Sequence, residues 1–323
     1  MPARCDSPSA AAEEPRLEIV SRLTPELQTR VNTLAVAARA ADHGVAPFGE
    51  HKWLRLTRGD ADSTALLLWQ GSDLVAAAHC DVFALPRPGG GRRLAAEVVV
   101  HPGQRNAGLG RRLIDEVAAL ARRRGAAEVH VWAYGNAPAA QRLADAYGFV
   151  AERTLLQMVL PWEKLPGPPD LPPELRVRAF DPPGDAYRWL ALHNHVFASH
   201  PEQSQWDALD LQVRLEQPWF RPADLLLIES IDNAELLGFC WVKLPLEVNA
   251  PGEIYNVGVA PDARGQGLGR LVTQAGLAHI GAAGRAAMLY VEAANRAAVE
   301  LYTGLGFEPR WQHVCYSRRL TGG

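Results

Sequence analysis

Lysine, cysteine and long apolar runs are scarce in this sequence, and each shortage excludes a class of protein. Only three of the 33 basic residues are lysine and the formal net charge is −3, which argues against a nucleic-acid-binding protein. The four cysteines show no CxxC or CxxH spacing, so neither a zinc site nor a disulfide framework is indicated, and a cytoplasmic protein is expected. No apolar run reaches the roughly 18 residues of a membrane helix, and the N-terminus lacks the apolar core of a secretory signal.

The chain is long enough for two domains, because 323 residues is twice the typical domain length of about 150. Near its midpoint lies the proline-rich segment 161–175, PWEKLPGPPDLPPEL. These prolines exclude a helix interior and a central strand. We therefore predict a domain at 16–160, this linker, and a second domain at 176–323, with residues 1–15 disordered.

The two halves contain the same motifs in the same order. VVVHPGQRNAGLGRRL at 98–113 matches VGVAPDARGQGLGRLV at 257–272 with a constant offset of 159 residues. Further on, NAPAAQRLADAYGF at 136–149 matches NRAAVELYTGLGF at 295–307 at nearly the same offset. Two unrelated glycine-rich loops are the alternative, but the second match favours a tandem duplication.

Each half also shows the same expected order of elements. Alternating apolar residues predict three meander strands, after which a glycine-rich turn opens an amphipathic helix. A further strand, a short helix and a last strand follow. Antiparallel strands that lead into one βαβ crossover imply an α/β fold with an α+β mixed sheet and helices on both faces. The predicted strand runs are 64–70, 74–83, 93–101 and 127–133 in the first half and 224–230, 236–243, 253–260 and 285–292 in the second.

The glycine-rich turn of the second half, RGQGLGR at 264–270, has the composition of an anion site. A helix N-terminus presents unpaired N–H groups and the positive end of the helix dipole. The glycines let an anion approach the backbone, and Arg264 and Arg270 add positive charge. Neither the GK[ST] of a P-loop nor a GxGxxG spacing is present. The turn predicts a diphosphate cradle, and a glycine-rich turn without a ligand is the alternative.

This strand, turn and helix, followed by N-x-A-A–x₃–Tyr–x₃–Gly-Phe, resemble the GNAT N-acetyltransferase superfamily. The resemblance covers both halves and implies two tandem GNAT domains with acetyl-CoA as cosubstrate. It places the pyrophosphate at the loop and the pantetheine arm and thioester carbonyl at the preceding strand. Gly258 inside that strand fits a bulge or a close approach of ligand, and mere tolerance of glycine is the alternative. The residues implied are Val98, Val99, Val100, Arg105, Asn106, Ala107, Gly108, Leu109 and Gly110, and Val257, Gly258, Val259, Arg264, Gly265, Gln266, Gly267, Leu268, Gly269, Arg270, Asn295, Arg296, Ala297, Ala298, Val299 and Glu300.

Proton-transfer groups stand near the cradle of the second half only. Acetyl transfer to an amine needs a base for the amine and an acid for the departing thiolate. Glu253 lies on the strand before the loop, and its counterpart at the offset of 159 is Leu94. Tyr302 lies four residues before the last matched glycine, and its counterpart is Ala144. We therefore predict a catalytic second domain and a non-catalytic first domain that keeps a loop able to bind acetyl-CoA.

The superfamily resemblance gives these two residues roles. Glu253 is the expected general base, directly or through a water, and Tyr302 the expected general acid to the CoA thiolate. A surface carboxylate at a strand edge is the alternative for Glu253. For Tyr302 the alternative is a ring that only packs against Phe307.

A more specific resemblance is to the mycothiol synthase family of tandem GNAT proteins. It rests on GVAPFGE at 44–50, HPEQ at 200–203, EQPWFRPADLLL at 216–227, LLGFCWVKLP at 236–245 and GEIYNVGVAPDARGQGLGR at 252–270. It implies acetylation of the cysteinyl amine of a cysteine–glucosamine–inositol conjugate, the last step of mycothiol biosynthesis. A monomer is expected, and no metal is implied, because the thioester already supplies an activated acyl group. The acceptor site so implied comprises Glu50, Glu202, Lys243, Glu253 and Tyr290.

Plainer roles remain open for three of these residues. Lys243 could be an outward-facing charge on an edge strand, and Glu202 could favour the start of a helix. Glu50 could be an ordinary solvent-facing carboxylate, whereas a Glu50 that reaches the acceptor would make the first domain part of the second domain's cleft. Two further functions are also open: acetylation of another small amine, such as an aminoglycoside or a peptide N-terminus, and non-catalytic sensing of acyl-CoA.

Overall fold

The computed structural model describes residues 14–84, 91–198 and 206–320, except for the side chains of residues 50 and 51. The chain forms two compact units: unit 1 runs to Arg153 and resumes at His313, and unit 2 is Thr154–Gln312. Each unit contains a six-stranded mixed sheet with helices on both faces, as the sequence predicts. Within the described residues, no helix is long and apolar enough to cross a membrane.

Unit 1 has the strand order β1-β2-β3-β4-β5-β12. Neighbouring strands are antiparallel, apart from the parallel pair β4–β5. The strands are β1 (Arg16–Val20), β2 (Ser63–Gln70), β3 (Asp73–Ala84), β4 (Arg92–Val100), β5 (Ala126–Ala133) and β12 (Glu308–Arg319), and the helices are α1 (Pro25–Ala41), α2 (Glu50–Arg58), α3 (Leu109–Arg123) and α4 (Pro138–Ala146).

Unit 2 repeats this arrangement with the order β6-β11-β10-β9-β8-β7 and the parallel pair β10–β11. Short 3₁₀ helices follow β4 and β10 at Pro102–Gln104 and Pro261–Ala263, and three more lie at Tyr134–Asn136, Trp162–Lys164 and Pro222–Asp224. The strands are β6 (Val150–Leu160), β7 (Leu175–Ala179), β8 (Leu225–Ser230), β9 (Leu236–Lys243), β10 (Gly252–Val259) and β11 (Ala287–Glu292), and the helices are α5 (Pro182–Val196), α6 (Ala208–Leu215), α7 (Leu268–Ala282) and α8 (Arg296–Gly304).

The two repeats exchange their last strands. Strand β6, from the first half of the chain, pairs antiparallel with β11 in unit 2. Strand β12, from the second half, pairs antiparallel with β5 in unit 1. The compact units therefore differ from the domain bounds 16–160 and 176–323 expected from sequence, because alternation of apolar residues identifies a strand but not its partner. The linker 161–175 contains only a 3₁₀ turn before β7 begins.

Helix α7 covers one face of the unit 2 sheet and an aromatic cluster covers the other. On α7 the apolar residues Leu268, Val272, Leu277 and Ile280 are buried, and full burial of each contributes about 1.5–3 kcal/mol. The opposite face holds large rings from α5, β9 and the segments around α6, which bury much apolar area and pack edge to face. This aromatic cluster comprises Phe180, Trp189, Trp206, Trp219, Phe239 and Trp241.

Candidate active site

The glycine-rich loop of unit 2 ends in an uncapped helix N-terminus. Gly265 and Gly267 both have φ +80°, a conformation that glycine adopts without steric cost. Gly267 is the N-cap of α7 and supplies no side-chain cap. The Arg270 N–H donates to the Gly267 carbonyl, which leaves the N–H groups of Leu268 and Gly269 open to a ligand. With the positive end of the α7 dipole, they form an anion site.

A β-bulge interrupts β10 shortly before this loop. The register with β9 shifts between Ile254 and Asn256, so that Tyr255 is the extra residue. Ile254 and Val257 both pack on the α7 side, whereas the Tyr255 ring lies 5.2 Å from the Trp219 ring in the aromatic cluster. Because residues 254 and 257 share one face, Tyr255 and Asn256 both lie on the aromatic face.

The bulge changes the match between the repeats. Strand β4 pairs with β3 without a register shift, so β10 contains one residue that β4 lacks. When equivalent positions are counted back through the bulge, the counterpart of Glu253 is Ala95, and the expectation of Leu94 was wrong by one residue. Neither Ala95 nor Leu94 is acidic, so the first repeat still lacks this carboxylate.

Gly258 has a different explanation from the one expected. The bulge lies at Tyr255, three residues earlier. A Cβ atom on Gly258 would lie 2.7 Å from the Val196 side chain and 3.2 Å from the Phe239 ring. Close packing within unit 2 therefore excludes larger residues at this position.

Glu253 and Lys243 lie side by side in the interior of the sheet. Glu253 is the direct partner of Lys243 on β9 and of Met288 on β11. Since β10 lies between β9 and β11, and β9 between β8 and β10, neither residue is on an edge strand. The Lys243 ammonium lies 4.9 Å from the centroid of the Trp219 ring and 5.6 Å from that of Tyr255. This face of β10 therefore places a carboxylate beside an ammonium group held over aromatic rings.

Tyr290 belongs to the same face. It alternates on β11 with Leu289, which packs on the α7 side, and its side chain is 40% exposed. Gln157 of β6 donates a hydrogen bond from Nε2 to the Tyr290 hydroxyl at 2.9 Å, and its Nε2 lies 3.6 Å from the Met288 sulfur. Sequence reasoning missed Gln157, because nothing in the sequence places β6 of the first repeat beside β11.

Tyr302 approaches from the opposite face of the sheet. It lies on α8, is 7% exposed and packs its ring 6.0 Å from the Phe307 ring. Burial, with a smaller contribution from Cys240, raises the pKa of the Tyr302 hydroxyl well above its usual range. The ring packing expected from sequence is therefore present, and the same burial keeps the phenol protonated, as a proton donor requires.

An opening in the sheet begins on β10 after Ile254. The parallel pairing of β10 with β11 ends at Ile254 and Leu289, well before β10 ends at Val259. Beyond this point no strand among the described residues pairs with the β10 backbone on that side. The opening leads along β10 to the glycine-rich loop.

The remaining predicted residues fall into two groups. Glu202 and the side chain of Glu50 lie outside the described residues. Residues 295–300 form the start of α8, where the Asn295 side chain caps the helix by accepting a hydrogen bond from the Ala298 N–H at 3.2 Å. In unit 1 the N-cap of α4 is Ala137, and Asn136 instead accepts a hydrogen bond from a tyrosine hydroxyl, so the two asparagines matched by sequence are not equivalent.

The loop of unit 1 has a similar backbone but a different charge environment. Gly108, its N-cap residue, has φ +81°, and Asn106 occupies the left-handed position of Gly265. Arg105 donates two hydrogen bonds of 2.8 Å to Asp42, and this carboxylate raises the pKa of the Arg105 guanidinium. Its counterpart Arg264 forms no ion pair with the described residues.

One group in unit 1 has the geometry of a metal site: Glu128, His130 and Glu152, whose ligand atoms lie within 4.8 Å of one another. Arg93 donates hydrogen bonds of 3.0 and 2.9 Å to Glu128, and His130 lies 3.0 Å from Glu152. The Arg93 guanidinium therefore pairs with one carboxylate of this group, and burial lowers the pKa of His130, which favours its neutral form.

Comparison with known proteins places both repeats in one family of enzymes. The acetyltransferase (GNAT) family model matches residues 30–149, and the FR47-like protein model matches residues 245–316. The mycothiol acetyltransferase of Thermobispora bispora is 42% identical over 310 residues, which cover 94% of this chain and 99% of that protein. The chain belongs to the mycothiol acetyltransferase family. The family member from Salinispora arenicola is 40% identical, over 96% of this chain and 99% of its own.

Two solved structures share the fold of this member of the mycothiol acetyltransferase family. A tandem GNAT protein from the clavulanic acid biosynthesis pathway has a TM-score of 0.71 at 18% identity, and covers 95% of this chain and 100% of its own. A GCN5-related N-acetyltransferase from Sphaerobacter thermophilus has a TM-score of 0.68 at 21% identity, over 95% and 96% of the two chains. The predicted tandem GNAT fold and the predicted family are confirmed.

Proposed function

We propose that the chain transfers the acetyl group of acetyl-CoA to the cysteinyl amine of a cysteine–glucosamine–inositol conjugate, at the site on β10 and β11 of unit 2. The observation that carries the proposal is the placement of Glu253 on a bulged central strand that leads directly into the open N-terminus of α7. The name of the family supports the class of acceptor. The first repeat, with Ala95 and Ala144 at the equivalent positions, performs no transfer.

The loop and β10 have the features needed to hold acetyl-CoA. A Cβ atom on Gly265 or Gly267 would meet nothing within 4 Å, so a phosphate has room to approach the backbone N–H groups. Arg264 and Arg270 add positive charge beside this N-terminus. The unpaired edge of β10 beyond Ile254 offers backbone N–H and C=O groups to an extended pantetheine arm, as a sheet edge does to an added strand.

Acetyl-CoA supplies an acyl group that is already activated, so the side chains of this site need only move protons. Glu253 takes a proton from the acceptor amine, directly or through a water. Lys243, the direct partner of Glu253 on β9, places an ammonium group beside this carboxylate. Tyr302, kept protonated by burial, donates its proton to the departing sulfur from the opposite face.

The acceptor side of the site suits a molecule with many hydroxyl groups. Tyr290 accepts the Gln157 hydrogen bond with a lone pair, so its O–H bond serves as a donor to a sugar or inositol oxygen. Trp219 presents a ring beside Lys243, and the Lys243 ammonium donates to hydroxyl oxygens. We assign Lys243, Glu253 and Tyr290 to the acceptor site on this basis.

Mass spectrometry of reaction products tests the proposal directly. The purified chain is incubated with acetyl-CoA in three separate reactions. One contains the cysteinyl-glucosaminyl-inositol conjugate, one an aminoglycoside and one a peptide with a free N-terminus. Fragmentation of the product must place the new acetyl group on the cysteinyl nitrogen. Acetylation of the aminoglycoside or peptide alone would show a different acceptor. If none of the three amines is acetylated, the result would indicate an acyl-CoA sensor.

A further inference from the structure

We propose that Asn256 holds the acceptor amine, whose N–H donates a hydrogen bond to the Asn256 side-chain oxygen beside Glu253. The inference rests on the proposed function and adds a binding residue to the same site. Asn256 is 5% exposed, and its Oδ1 forms no hydrogen bond with any described residue. A buried oxygen without a partner costs about 1–3 kcal/mol, so an apolar residue would stabilise the fold more.

The bulge directs this oxygen toward the acceptor. Asn256 lies on the face of β10 that carries Glu253 and Tyr255, and it follows Ile254, the last residue paired with β11. A ligand in the opening between the two strands therefore reaches Asn256. The partner of Asn256 on β9 is Trp241, whose indole N–H also lacks a hydrogen bond among the described residues. A water held between these two groups is the competing occupant, and the experiment below separates it from an amine.

Unit 1 shows what the same position of the fold can hold. Asn256 and Glu97 lie three residues before the last valine of β10 and β4, at the offset of 159. Glu97 is fully buried, and its Oε1 lies 3.2 Å from the Lys52 ammonium nitrogen. The Tyr134 hydroxyl and the Gly49 N–H also donate hydrogen bonds to this carboxylate. In unit 1, therefore, the protein's own Lys52 places an ammonium group at this position.

The exchange of a carboxylate for an amide suits a site that must deprotonate its amine. A carboxylate at this position would stabilise the charged form of a bound amine, which must lose a proton before it can react. The neutral oxygen of Asn256 accepts a hydrogen bond from an amine in either protonation state. Asn256 therefore orients the amine, while Glu253, the one acidic residue of β10, takes its proton.

Two substitutions at Asn256 test the inference. Asn256→Leu removes the acceptor oxygen at similar size, and we expect the KM for the amine to rise about 10-fold or more, as for the loss of a hydrogen bond to a charged group. The KM for acetyl-CoA should not change. Asn256→Asp keeps an acceptor but adds charge, so kcat/KM for the amine should fall at neutral pH and recover at higher pH. A purely structural role would not produce this alkaline shift.

Thermal unfolding supplies a readout that needs no substrate. Asn194 is the matched control, because its side chain donates a 2.8 Å hydrogen bond to Trp206 O and accepts a 2.9 Å hydrogen bond from Trp206 N. Asn194→Leu should lower the unfolding midpoint. Asn256→Leu should leave the midpoint unchanged or raise it, since it removes a buried oxygen without a partner.

The outcomes separate this inference from the proposed function. If the unmodified chain acetylates the conjugate and Asn256→Leu has a normal KM for it, the oxygen holds only water, and the inference fails while the function stands. If no conjugate is acetylated, the proposed function fails, and the unfolding midpoints decide about Asn256. A decrease as large as that of Asn194→Leu would then make Asn256 a structural residue, whereas no decrease would support a ligand-facing oxygen.

Discussion

The two repeats share a loop and differ in the strand that leads to it. Helices α3 and α7 both have 15 residues, and each begins after a glycine with φ near +80°. Strand β4 pairs with β3 without interruption, whereas β10 carries a bulge at Tyr255. The parallel pairing also extends one pair further in unit 1, to Glu97 and Trp132. An anion-binding loop can therefore persist while one inserted residue changes what lies beside it.

The faces opposite α3 and α7 differ as much as the strands do. In unit 1 this face holds the buried ion pair of Lys52 with Glu97. Asp81 is the partner of Ala95, as Lys243 is of Glu253. In unit 2 the face has an aromatic cluster with Glu253 and Lys243 at its edge, and Arg178 forms ion pairs with Asp185 and Glu229. The first repeat thus pairs its own charges, Lys52 with Glu97, at the position where we propose that the second repeat receives its substrate.

Removing the two proton-transfer groups of unit 2 should have the largest effect on turnover. Glu253→Gln and Tyr302→Phe keep size and shape but remove the proposed base and the proposed acid, so each should lower kcat by about 10²–10⁴-fold. Steady-state kinetics with the cysteinyl conjugate measures the loss. Ala144→Ser in unit 1 changes a position equivalent to Tyr302 and should leave kcat unaltered. Undiminished turnover in either unit 2 variant would remove the proposed distinction between the repeats.

Breaking the buried ion pair of unit 1 should mainly affect stability. Glu97→Gln and Lys52→Met each leave one buried charge without its partner, and each should destabilise unit 1 by about 3–5 kcal/mol. Hydrogen exchange of β4 amides in increasing denaturant reports on unit 1 separately. The double variant, with neither charge, should recover much of the loss. Single variants as stable as the parent would show that this pair does not hold the face of unit 1 together.

Acid should weaken unit 1 through His313. Burial lowers the pKa of His313 to about 4, below the value of about 6.5 in an unfolded chain. The unfolded state therefore binds a proton first, and stability should fall as pH decreases from about 6.5 to about 4. At about 1.4 kcal/mol per pKa unit, this contributes on the order of 3 kcal/mol. His313→Gln, followed by hydrogen exchange of β5 across this pH range, should flatten the dependence, and an equally steep dependence in that variant would assign it to other groups.

The sequence was sufficient for the elements that repeat and for the loop chemistry. Apolar alternation located β2 to β5 and β8 to β11, and the matched glycines located the start of α3 and α7. Strand exchange could not be inferred, since a strand's own residues do not specify its neighbour. The sequence did not reveal the bulge either. The spacing of 159 residues between the repeats is constant around the glycine-rich loop, so it does not show that β10 contains one extra residue before that loop. Gln157 escaped notice for the first reason and Ala95 for the second.

The loop arginines offer a matched comparison of the two cradles. Arg264→Ala should raise the KM for acetyl-CoA about 10-fold, since a charge-assisted hydrogen bond contributes about 1.5 kcal/mol or more. Arg105→Ala should have a smaller effect, because the Arg105 guanidinium is already paired with Asp42. Initial rates at varied acetyl-CoA measure both. A larger effect of Arg105 than of Arg264 would contradict the assignment of catalysis to unit 2.

The smallest expected effect concerns the strand that unit 2 receives from the first repeat. Gln157→Leu removes the donor to the Tyr290 hydroxyl, and Tyr290→Phe removes the hydroxyl itself. Each should raise the KM for the conjugate about 2- to 10-fold, which corresponds to the net free-energy contribution of one ordinary hydrogen bond. Because the two groups act through one contact, the double variant should lose little more than either single variant.

A comparison with unit 1 shows why this double-mutant cycle of Gln157 and Tyr290 is informative. The residue equivalent to Tyr290 is Trp132, which has no hydroxyl and instead lies under the Lys52 and Arg153 side chains. Effects of Gln157→Leu and Tyr290→Phe that simply add would mean that Gln157 does not position Tyr290. A changed KM for acetyl-CoA would mean that the strand contributes to the cofactor side instead. Non-additive effects confined to the acceptor would show that the repeat without catalysis contributes, through β6, to the specificity of the repeat that has it.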